Sequence, residues 1–525
     1  MIRELISAAL VTLVAISAIF FFSLSAEPSV FSGRDQGSFS EAAVRLAQNH
    51  QLDFETPASQ EFFKIYGAGS ALNFPGFNYT QEGRLVTHFS LGYTAWLAVF
   101  YSIFGLGGFS VANGILFFLF LLSFFSLLKI HAGLKSAWLG FLLALSTFVF
   151  SWFFKFTLSE NLALGFIWFG ILELFLWLKY RDRFFFFTAL VTFLLLTFTR
   201  IEAWALLVML GVVLFILSRK EKNLFSKNDR KLFEIIGGIF SLTFLTNLAV
   251  NSQFYRSSLK GLWRSFSPEE NGLSAFESLL ELFDIFAYYN ILIFLLIGGL
   301  GILYFVSKKK YFLLTPFFLL LPIFIYLLHP GISPDHPWML RRFTFAIIPL
   351  GIFYTVLVID YLFKRKSFFF LTALLLFAAN LPLFLPFSGF SENKNLLSQT
   401  KKLSENFSST DLVLIDRLTS GDGWSMPSGP LSFLYGKQAV YFFNPKDLQK
   451  IDTQKFSNVY LIIPDESLAL YEKSNLLENL VFQKNYQFTK NYLLIPDLKK
   501  TGGFSQVLPL KSQKTTNGKI YLLKQ

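Results

Sequence analysis

The sequence contains no cysteine, and few of its residues are charged. The absence of cysteine excludes disulfide bonds, cysteine-ligated zinc and thiol nucleophiles. Charged residues make up 15% of the 525 residues, whereas a typical soluble domain has about 25%. Hydrophobic residues make up 53%, so a fold surrounded by water would expose large apolar patches. The composition therefore indicates a protein that lies partly in lipid.

The hydrophobic residues are gathered in long blocks. Each block has roughly 17–22 residues, which lets a helix cross a hydrocarbon core of about 30 Å. The blocks cover approximately residues 5–25, 89–106, 108–128, 136–153, 157–178, 184–199, 201–217, 232–252, 285–306, 312–329, 343–363 and 368–387.

The net charge of +12 comes from basic tracts that lie beside these blocks. Short loops rich in Lys and Arg stay in the cytoplasm, so the tracts predict which loops are cytoplasmic. This distribution argues against a nucleic acid as the partner, although the total charge alone suggests one. The tracts are residues 129–135, 179–183, 219–231, 308–310 and 364–366.

The alternation of sides predicts that one block does not cross the membrane. Twelve crossings would place the basic tract 129–135 outside. Block 89–106 is the best candidate, because it is short and contains Tyr93, Trp96 and Tyr101, which suit a membrane interface. We therefore predict an all-α polytopic bundle of about eleven transmembrane helices in the plasma (inner) membrane. Its N-terminus is expected in the cytoplasm, and 89–106 is expected to be a juxtamembrane or re-entrant helix.

Two regions outside the blocks are expected on the outer side. The first is the loop 26–88, and the second is the tail 388–525, where polar residues become common. The tail is predicted to be a small α/β soluble domain that follows the membrane domain, 1–387. Block 5–25 also has features of a signal peptide, which leaves its retention open. Within the tail, strands are predicted at 411–416, 439–443, 459–464 and 519–523, and helices at 428–435 and 465–477.

The first outer loop contains the most distinctive motif. Ser38 and Glu41 have the spacing of a capping box, which predicts a helix that starts there. Asp35 lies in the turn before this helix, between Gly33 and Gly37. An acid at a helix start is also explained by the helix dipole alone. An apolar face predicts that the helix lies on the membrane or on the bundle; this face comprises Phe39, Ala42, Ala43, Leu46 and Ala47.

Four segments in this order resemble the GT-C superfamily of polytopic glycosyltransferases. The resemblance spans residues 1 to about 220, although proline is missing after His88, Glu160 and Arg200, where the family pattern has it. The four segments are the turn Asp35-Gln36-Gly37, the juxtamembrane stretch from Glu82 to Gly105, the helix start Leu158-Ser159-Glu160-Asn161, and the turn Thr199-Arg200-Ile201-Glu202-Ala203.

The resemblance implies that a sugar passes from a polyprenyl-phosphate carrier to a hydroxyl acceptor on the outer face. The acceptor is a glycan, a lipid or a protein. Asp35 is then the base, and the anomeric centre is inverted. Arginine forks suit the phosphate of the carrier, and Arg200, Arg341 and Arg342 lie on the expected outer side.

Other residues on the same side are candidates for substrate binding, each with a simpler explanation beside it. Glu160 opens a helix, where a carboxylate also stabilises the dipole. His336 lies in a proline-rich segment that equally suits an interfacial anchor. His88 and Glu82 share the loop of Asp35, so a divalent cation is left open as a cofactor, although no spacing is typical of a metal site.

Three other functions remain open from the sequence. A transporter or flippase would have ionisable residues in mid-membrane, and Glu173 is one such exception among charges that mostly lie at block ends. A polymerase or ligase of lipid-linked glycans would share the substrates but would not depend on Asp35. A non-catalytic scaffold would tolerate the loss of this carboxylate.

Overall fold

A computed structural model describes residues 2–220, 230–252, 254–256, 275–328, 337–494 and 510–524. Most of the chain up to Ser388 is helical, and the helices are numbered here in chain order. They are α1 Ile2–Leu24, α2 Asp35–Asn49, α3 Pro57–Tyr66, α4 Leu91–Phe104, α5 Gly108–Ala132, α6 Leu134–Ser146, α7 Phe148–Phe153, α8 Ser159–Tyr180, α9 Arg183–Leu196, α10 Glu202–Lys220, α11 Arg230–Val250, α12 Ala275–Tyr288, α13 Leu292–Ser307, α14 Thr315–Leu320, α15 Ile325–Leu328, α16 Arg341–Thr344, α17 Ile347–Leu362 and α18 Lys366–Ser388.

Among the described residues, 5 helices are long and apolar enough to cross a membrane, or up to 7 if each of two bent helix pairs is one span. This confirms a multi-pass membrane protein. Each of the eleven predicted crossings contains an apolar helix, but several are short, so the count of eleven stays a prediction. The shorter apolar helices are Leu134–Ser146, Arg183–Leu196, Glu234–Val250 and Thr315–Leu327.

Two of the basic tracts meet at one end of the bundle. Lys129 lies 3.5 Å from Glu4 in the first helix, and Lys135 lies 3.1 Å from Asp360, just before the tract 364–366. These positions agree with the prediction that the two tracts lie on the same side of the membrane. The assignment of that side to the cytoplasm stays a prediction.

Helix α4, the predicted juxtamembrane segment, folds back on α5. The indole of Trp96 donates to the carbonyl of Ala112 at 3.3 Å, and the hydroxyl of Tyr93 donates to Asn113 at 2.7 Å. Residues 16 and 20 positions apart would be about 24–30 Å apart in one straight helix. The chain reverses at Gly105, whose φ is +58°. Although 91–132 is apolar throughout, α4 and α5 therefore form a hairpin.

Helix α2 starts earlier than the sequence pattern indicates. It begins at Asp35, and the hydroxyl of Ser38 donates to the carbonyl of Pro75 at 2.9 Å. The predicted capping box is therefore wrong, because a tertiary contact takes the hydroxyl. Residues 36–44 are buried, and Thr157 donates to the carbonyl of Gln36 at 2.8 Å. The sequence predicted that this helix lies either on the membrane or on the bundle, and these contacts place it on the bundle.

The loop 26–88 also forms a small antiparallel sheet that the sequence did not predict. Its strand order is β1-β4-β3-β2. Asn73 in this loop donates from its side chain to the carbonyl of Tyr441 at 2.6 Å, so the loop contacts the C-terminal region directly. The strands are β1 Asp53–Phe54, β2 Gly69–Ser70, β3 Phe77–Tyr79 and β4 Leu85–Thr87.

The C-terminal region is an α/β domain, as predicted. Its five-stranded sheet has the order β6-β5-β7-β9-β8, in which β5 is parallel to both of its neighbours. The four predicted strands are present, but the long strand β8 was missed, and the predicted helix 465–477 is a helix of only 5 residues with 3-10 turns. The elements are α19 Leu396–Ser404, β5 Leu412–Ile415, α20 Ser428–Phe433, β6 Gln438–Tyr441, β7 Val459–Pro464, α21 Leu468–Glu472, β8 Leu480–Leu494 and β9 Leu510–Leu523.

Candidate active site

Five charged side chains from four distant segments meet at one end of the bundle. A guanidinium nitrogen of Arg341 lies 2.6 Å from a carboxylate oxygen of Asp35. The same arginine lies 3.8 Å from Glu160, which also accepts Arg200 at 3.1 Å. Arg200 in turn holds Glu202 at 2.9 Å. Three of the four segments that carried the sequence resemblance are thus joined into one cluster by ion pairs, with Arg341 as a further member.

The cluster is buried on one side and open on the other. The side chain of Glu160 is 6% exposed and that of Arg200 is 12% exposed, whereas Asp35 keeps 39% of its surface accessible. Arg342 lies close enough to interact electrostatically with both Glu160 and Asp35. Three arginines therefore balance three carboxylates, which limits the cost of burying charge here. A ligand would reach the cluster from the side of Asp35.

The backbone before α2 places Asp35 at the positive end of this helix. A Cβ atom on Gly37 would lie 1.6 Å from the carbonyl oxygen of Phe31, so only glycine fits this turn. Gly33 has a φ of +102°, a conformation that other residues rarely adopt. Asp35 is the first residue of the helix, where unpaired N–H groups favour a carboxylate.

The turn that carries Arg200 is fixed by the juxtamembrane segment. The hydroxyl of Ser90 donates to the carbonyl of Thr199, and the backbone N–H of Gly92 donates to the carbonyl of Phe198 at 2.8 Å. These bonds hold the turn against the start of α4. The aromatic ring of Phe345 lies 4.7 Å below the guanidinium of Arg200, which adds a cation–π contact.

The electrostatics of the cluster favour the charged forms of Asp35 and Arg200. Burial alone would raise the pKa of Asp35, but the charge and hydrogen bond of Arg341 outweigh it and hold this pKa below its usual value. Burial opposes the charged form of Arg200, yet the carboxylates of Glu202 and Glu160 raise its pKa. Asp35 is therefore a carboxylate over the whole neutral range.

The two other candidates from the first loop are placed differently. His88 interacts with Asp35, while burial lowers the pKa of its imidazole below the usual value, so it is neutral at pH 7. Its ring packs on Phe89 at 4.1 Å. Glu82 is fully exposed in the turn that precedes Arg84 and hydrogen-bonds within that turn. The structure thus brings His88 to the cluster and leaves Glu82 outside it.

The described residues contain no group of three or more histidine, aspartate or glutamate side chains that would hold a metal ion. A convergence of Asp35, His88 and Glu82, which the sequence left open, is not formed, because Glu82 faces solvent. His336, another predicted site residue, lies outside the described residues.

Sequence reasoning missed two charged residues of this region as site residues, Glu202 and Arg34. Glu202 closes the ion-pair cluster, although it stands in the turn that carried the resemblance. The guanidinium of Arg34 lies 4.3 Å from the ring of Trp338 and 4.7 Å from the ring of Trp424 in the C-terminal domain. The position of Arg34 beside Asp35 was the available signal, but nothing in the sequence indicated its aromatic partners.

An apolar cavity of about 200 Å³ is lined by residues of α12, α13 and α17. Phe286 in its lining packs on the ring of Phe343 at 5.1 Å, and Phe343 follows Arg341 and Arg342 in α16. Its lining includes Leu282, Phe286, Gly298, Ile347, Leu350 and Gly351. A cavity of this kind takes hydrocarbon chains in preference to polar groups.

No family model matches the sequence, and no curated protein matches it either. Among solved structures, the chain is similar to ArnT from Cupriavidus metallidurans bound to undecaprenyl phosphate, with a TM-score of 0.52 and 12% sequence identity over 98% of this chain and 97% of that one. The apo form of the same protein gives a TM-score of 0.48 and 13% identity over the same shares. ArnT is the aminoarabinose lipid A transferase, a GT-C glycosyltransferase. The chain therefore has the fold that the sequence resemblance predicted.

Proposed function

We propose that the protein is a membrane glycosyltransferase that moves a sugar from a polyprenyl-phosphate carrier to a hydroxyl acceptor. The observation that carries this proposal is the pairing of an accessible carboxylate, Asp35, with the arginines of a buried ion-pair cluster. A transfer of this type needs a base on one side of the sugar and cations on the phosphate at the other. Both are present within one cluster.

In the proposed reaction, the acceptor hydroxyl attacks the anomeric carbon as Asp35 takes its proton. The new bond joins the anomeric carbon to the acceptor oxygen. The bond from that carbon to the phosphate oxygen breaks, and the carrier phosphate leaves with the bonding electron pair. Attack from the face opposite the phosphate inverts the anomeric centre. Arg341, with Arg200 and Arg342 behind it, is placed to stabilise the charge that develops on the leaving phosphate.

The ion pair between Asp35 and Arg341 makes the basicity of Asp35 depend on whether the pair is closed or open. While the pair is closed, the low pKa of Asp35 makes it a weak base. A phosphate that enters the site competes for the fork of Arg341, which binds phosphate and carboxylate oxygens equally well by geometry. We propose that the carrier phosphate draws Arg341 away and thereby raises the proton affinity of Asp35 when the substrate is bound.

The apolar cavity beside α17 is the proposed site for the first part of the polyprenyl chain. It follows the arginines along the same helix pair, so a lipid phosphate on Arg341 would direct its hydrocarbon towards Ile347 and Phe286. The similarity in fold to a protein solved with undecaprenyl phosphate bound supports the same class of carrier.

The predicted topology puts this reaction on the outer face of the plasma (inner) membrane. The cluster lies at one end of the bundle. The basic tracts 129–135 and 364–366 lie at the other end, where Lys135 pairs with Asp360. If those tracts are cytoplasmic, as the distribution of basic residues indicates, Asp35 and the C-terminal domain face outward. The acceptor is then a glycan, a lipid or a protein of the cell envelope.

The test is a transfer assay with the purified protein in proteoliposomes, whose closed bilayer also reports movement of labelled lipid from one leaflet to the other. A panel of radiolabelled undecaprenyl-phosphate sugars is offered with membrane extract as the source of acceptor, and loss of label from the carrier is followed. The proposal predicts that at least one sugar is released from its carrier and joined to an acceptor. If every carrier stays intact while labelled lipid crosses the bilayer, the protein is a flippase and the proposal is wrong.

A further inference from the structure

The C-terminal sheet has a cleft at the carboxyl ends of its parallel strands. The chain runs from β5 to β6 on one side and returns to β7 on the other, with β5 between them. In open α/β sheets, ligands bind in the crevice outside the carboxyl ends of the strands at such a switch point. A cavity of about 460 Å³ lies at this position, which is within the size range of small-molecule sites.

Each of the three parallel strands contributes to the lining of the cleft. Arg417 follows β5, Tyr441 ends β6 and is followed by Phe443, and Ser467 follows β7. Trp424 closes one wall and is 40% exposed. Aromatic rings around a few polar groups are typical of a site that orients a partly apolar ligand.

The lining of the cleft contains one carboxylate, from Asp416, and one guanidinium, from Arg417. The carboxylate of Asp416 accepts hydrogen bonds from the backbone N–H of Leu418 at 2.8 Å, from Ser467 at 3.0 Å and from Tyr471 at 2.9 Å. Arg417 forms no ion pair with any carboxylate in the described part of the chain; its guanidinium lies 5.2 Å from the ring of Trp424. The fork of Arg417 is therefore available to an anionic ligand.

The wall of this cleft touches the turn that carries Asp35. A Cβ atom on Gly33 would lie 2.6 Å from the carbonyl oxygen of Gly423, the residue before Trp424. Arg34 lies between the rings of Trp338 and Trp424. The contact of Gly33 with Gly423 therefore places the wall of the cleft against the turn that precedes Asp35.

We propose that this cleft binds the acceptor and that the acceptor is an anionic saccharide, whose rings pack on the aromatic wall and whose charged substituent pairs with Arg417. This inference rests on the proposed transferase function and names the class of its second substrate. The C-terminal domain then acts as the acceptor-binding half of the active site, and the bundle acts as the donor-binding half.

The test measures binding without any donor, so its result does not depend on whether transfer occurs. Saturation-transfer NMR on the full-length protein in nanodiscs compares three probes: glucose 6-phosphate, glucose and inorganic phosphate. The proposal predicts that glucose 6-phosphate binds at least tenfold more tightly than either of the other two. Equal binding of inorganic phosphate, equal binding of glucose, or no binding of glucose 6-phosphate would each overturn it.

Variants of Arg417 locate the binding. Arg417 is exposed, so Arg417→Gln is expected to fold normally and to weaken the binding of glucose 6-phosphate at least tenfold. Arg417→Lys keeps the charge but loses the fork, so its affinity should lie between those of the wild type and Arg417→Gln. Lys446→Gln removes an exposed charge elsewhere in the same domain and should change nothing. Undecaprenyl phosphate should bind all three variants as it binds the wild type. Unchanged sugar-phosphate binding in Arg417→Gln would contradict the proposed site.

Discussion

Replacement of Glu160 by glutamine tests whether the cluster works as one electrostatic unit. Glu160 contacts Arg200 at 3.1 Å and Arg341 at 3.8 Å, and its side chain is 6% exposed. Glutamine keeps the shape but removes one negative charge, which leaves three arginines facing Asp35 and Glu202. Breaking a buried ion pair costs about 3–5 kcal/mol.

The lower end of that range applies here, because each arginine keeps another partner. Arg341 retains Asp35 at 2.6 Å, and Arg200 retains Glu202 at 2.9 Å. Unfolding entropy is about 2 cal/mol/K per residue, so for a chain of 525 residues a loss of about 3 kcal/mol lowers the melting temperature by about 3 °C. The same variant should bind undecaprenyl phosphate more tightly, since the site then carries an uncompensated positive charge.

The assay is thermal unfolding in nanodiscs together with a titration of undecaprenyl phosphate. Glu41→Gln is a matched control, because Glu41 is also 6% exposed and pairs with Arg45 at 2.8 Å outside the cluster. The control should also lose stability and should leave the lipid affinity unchanged. Stability equal to wild type in Glu160→Gln, or weaker binding of the lipid phosphate, would refute the electrostatic reasoning.

Three further predictions concern single residues of the outer end. In Arg341→Gln, the pKa of Asp35 loses the arginine that holds it down, so the acid limb of the pH profile of kcat/KM should move to higher pH; an unmoved limb would contradict the pairing. Gly37→Ala should abolish transfer and lower the melting temperature, because a Cβ would lie 1.6 Å from the carbonyl oxygen of Phe31; a fully active, stable variant would show that the turn is wrongly described. Burial lowers the pKa of Lys155 from 10.5 to about 7, so the unfolded state binds more protons than the folded state between these pH values. The free energy of unfolding should therefore rise from pH 7 to pH 10 more in the wild type than in Lys155→Met. Identical pH dependences of the melting temperature in the two proteins would contradict the lowered pKa.

The sequence predicted the bundle because lipid imposes a simple rule on helices. A segment that crosses the membrane must be apolar along its whole length and satisfy its own backbone hydrogen bonds, so block length alone locates such helices. The basic tract 129–135 required that one of the blocks 89–106 and 108–128 should not cross, and the short length and aromatic residues of 89–106 selected that block; its non-crossing stays a prediction, while the fold-back of α4 on α5 is observed. The pairing of charged residues within the cluster was harder to predict from the sequence. The turn that carries Arg200 and Glu202 is held by hydrogen bonds from Ser90 and Gly92, which lie far away in the sequence.

The first loop and the C-terminal domain show where local patterns fail. Ser38 and Glu41 have the spacing of a capping box, but Ser38 bonds to the distant Pro75, and the helix starts at Asp35. The long hairpin of β8 and β9 alternates polar and apolar residues weakly, and only its last part, around Ile520, has a strong strand pattern. The contact of Trp424 with Arg34 depends on the packing of two domains, which no local spacing encodes.

The most direct test of the proposed mechanism compares single-turnover transfer by the wild type and by Asp35→Asn, with undecaprenyl phosphate binding measured on the same samples. The account predicts that transfer falls by about 10²–10⁴, the usual contribution of a general base. Binding of the lipid phosphate should be retained, because Arg341 and Arg200 remain. Transfer at the wild-type rate in Asp35→Asn would contradict the assignment of Asp35 as the base.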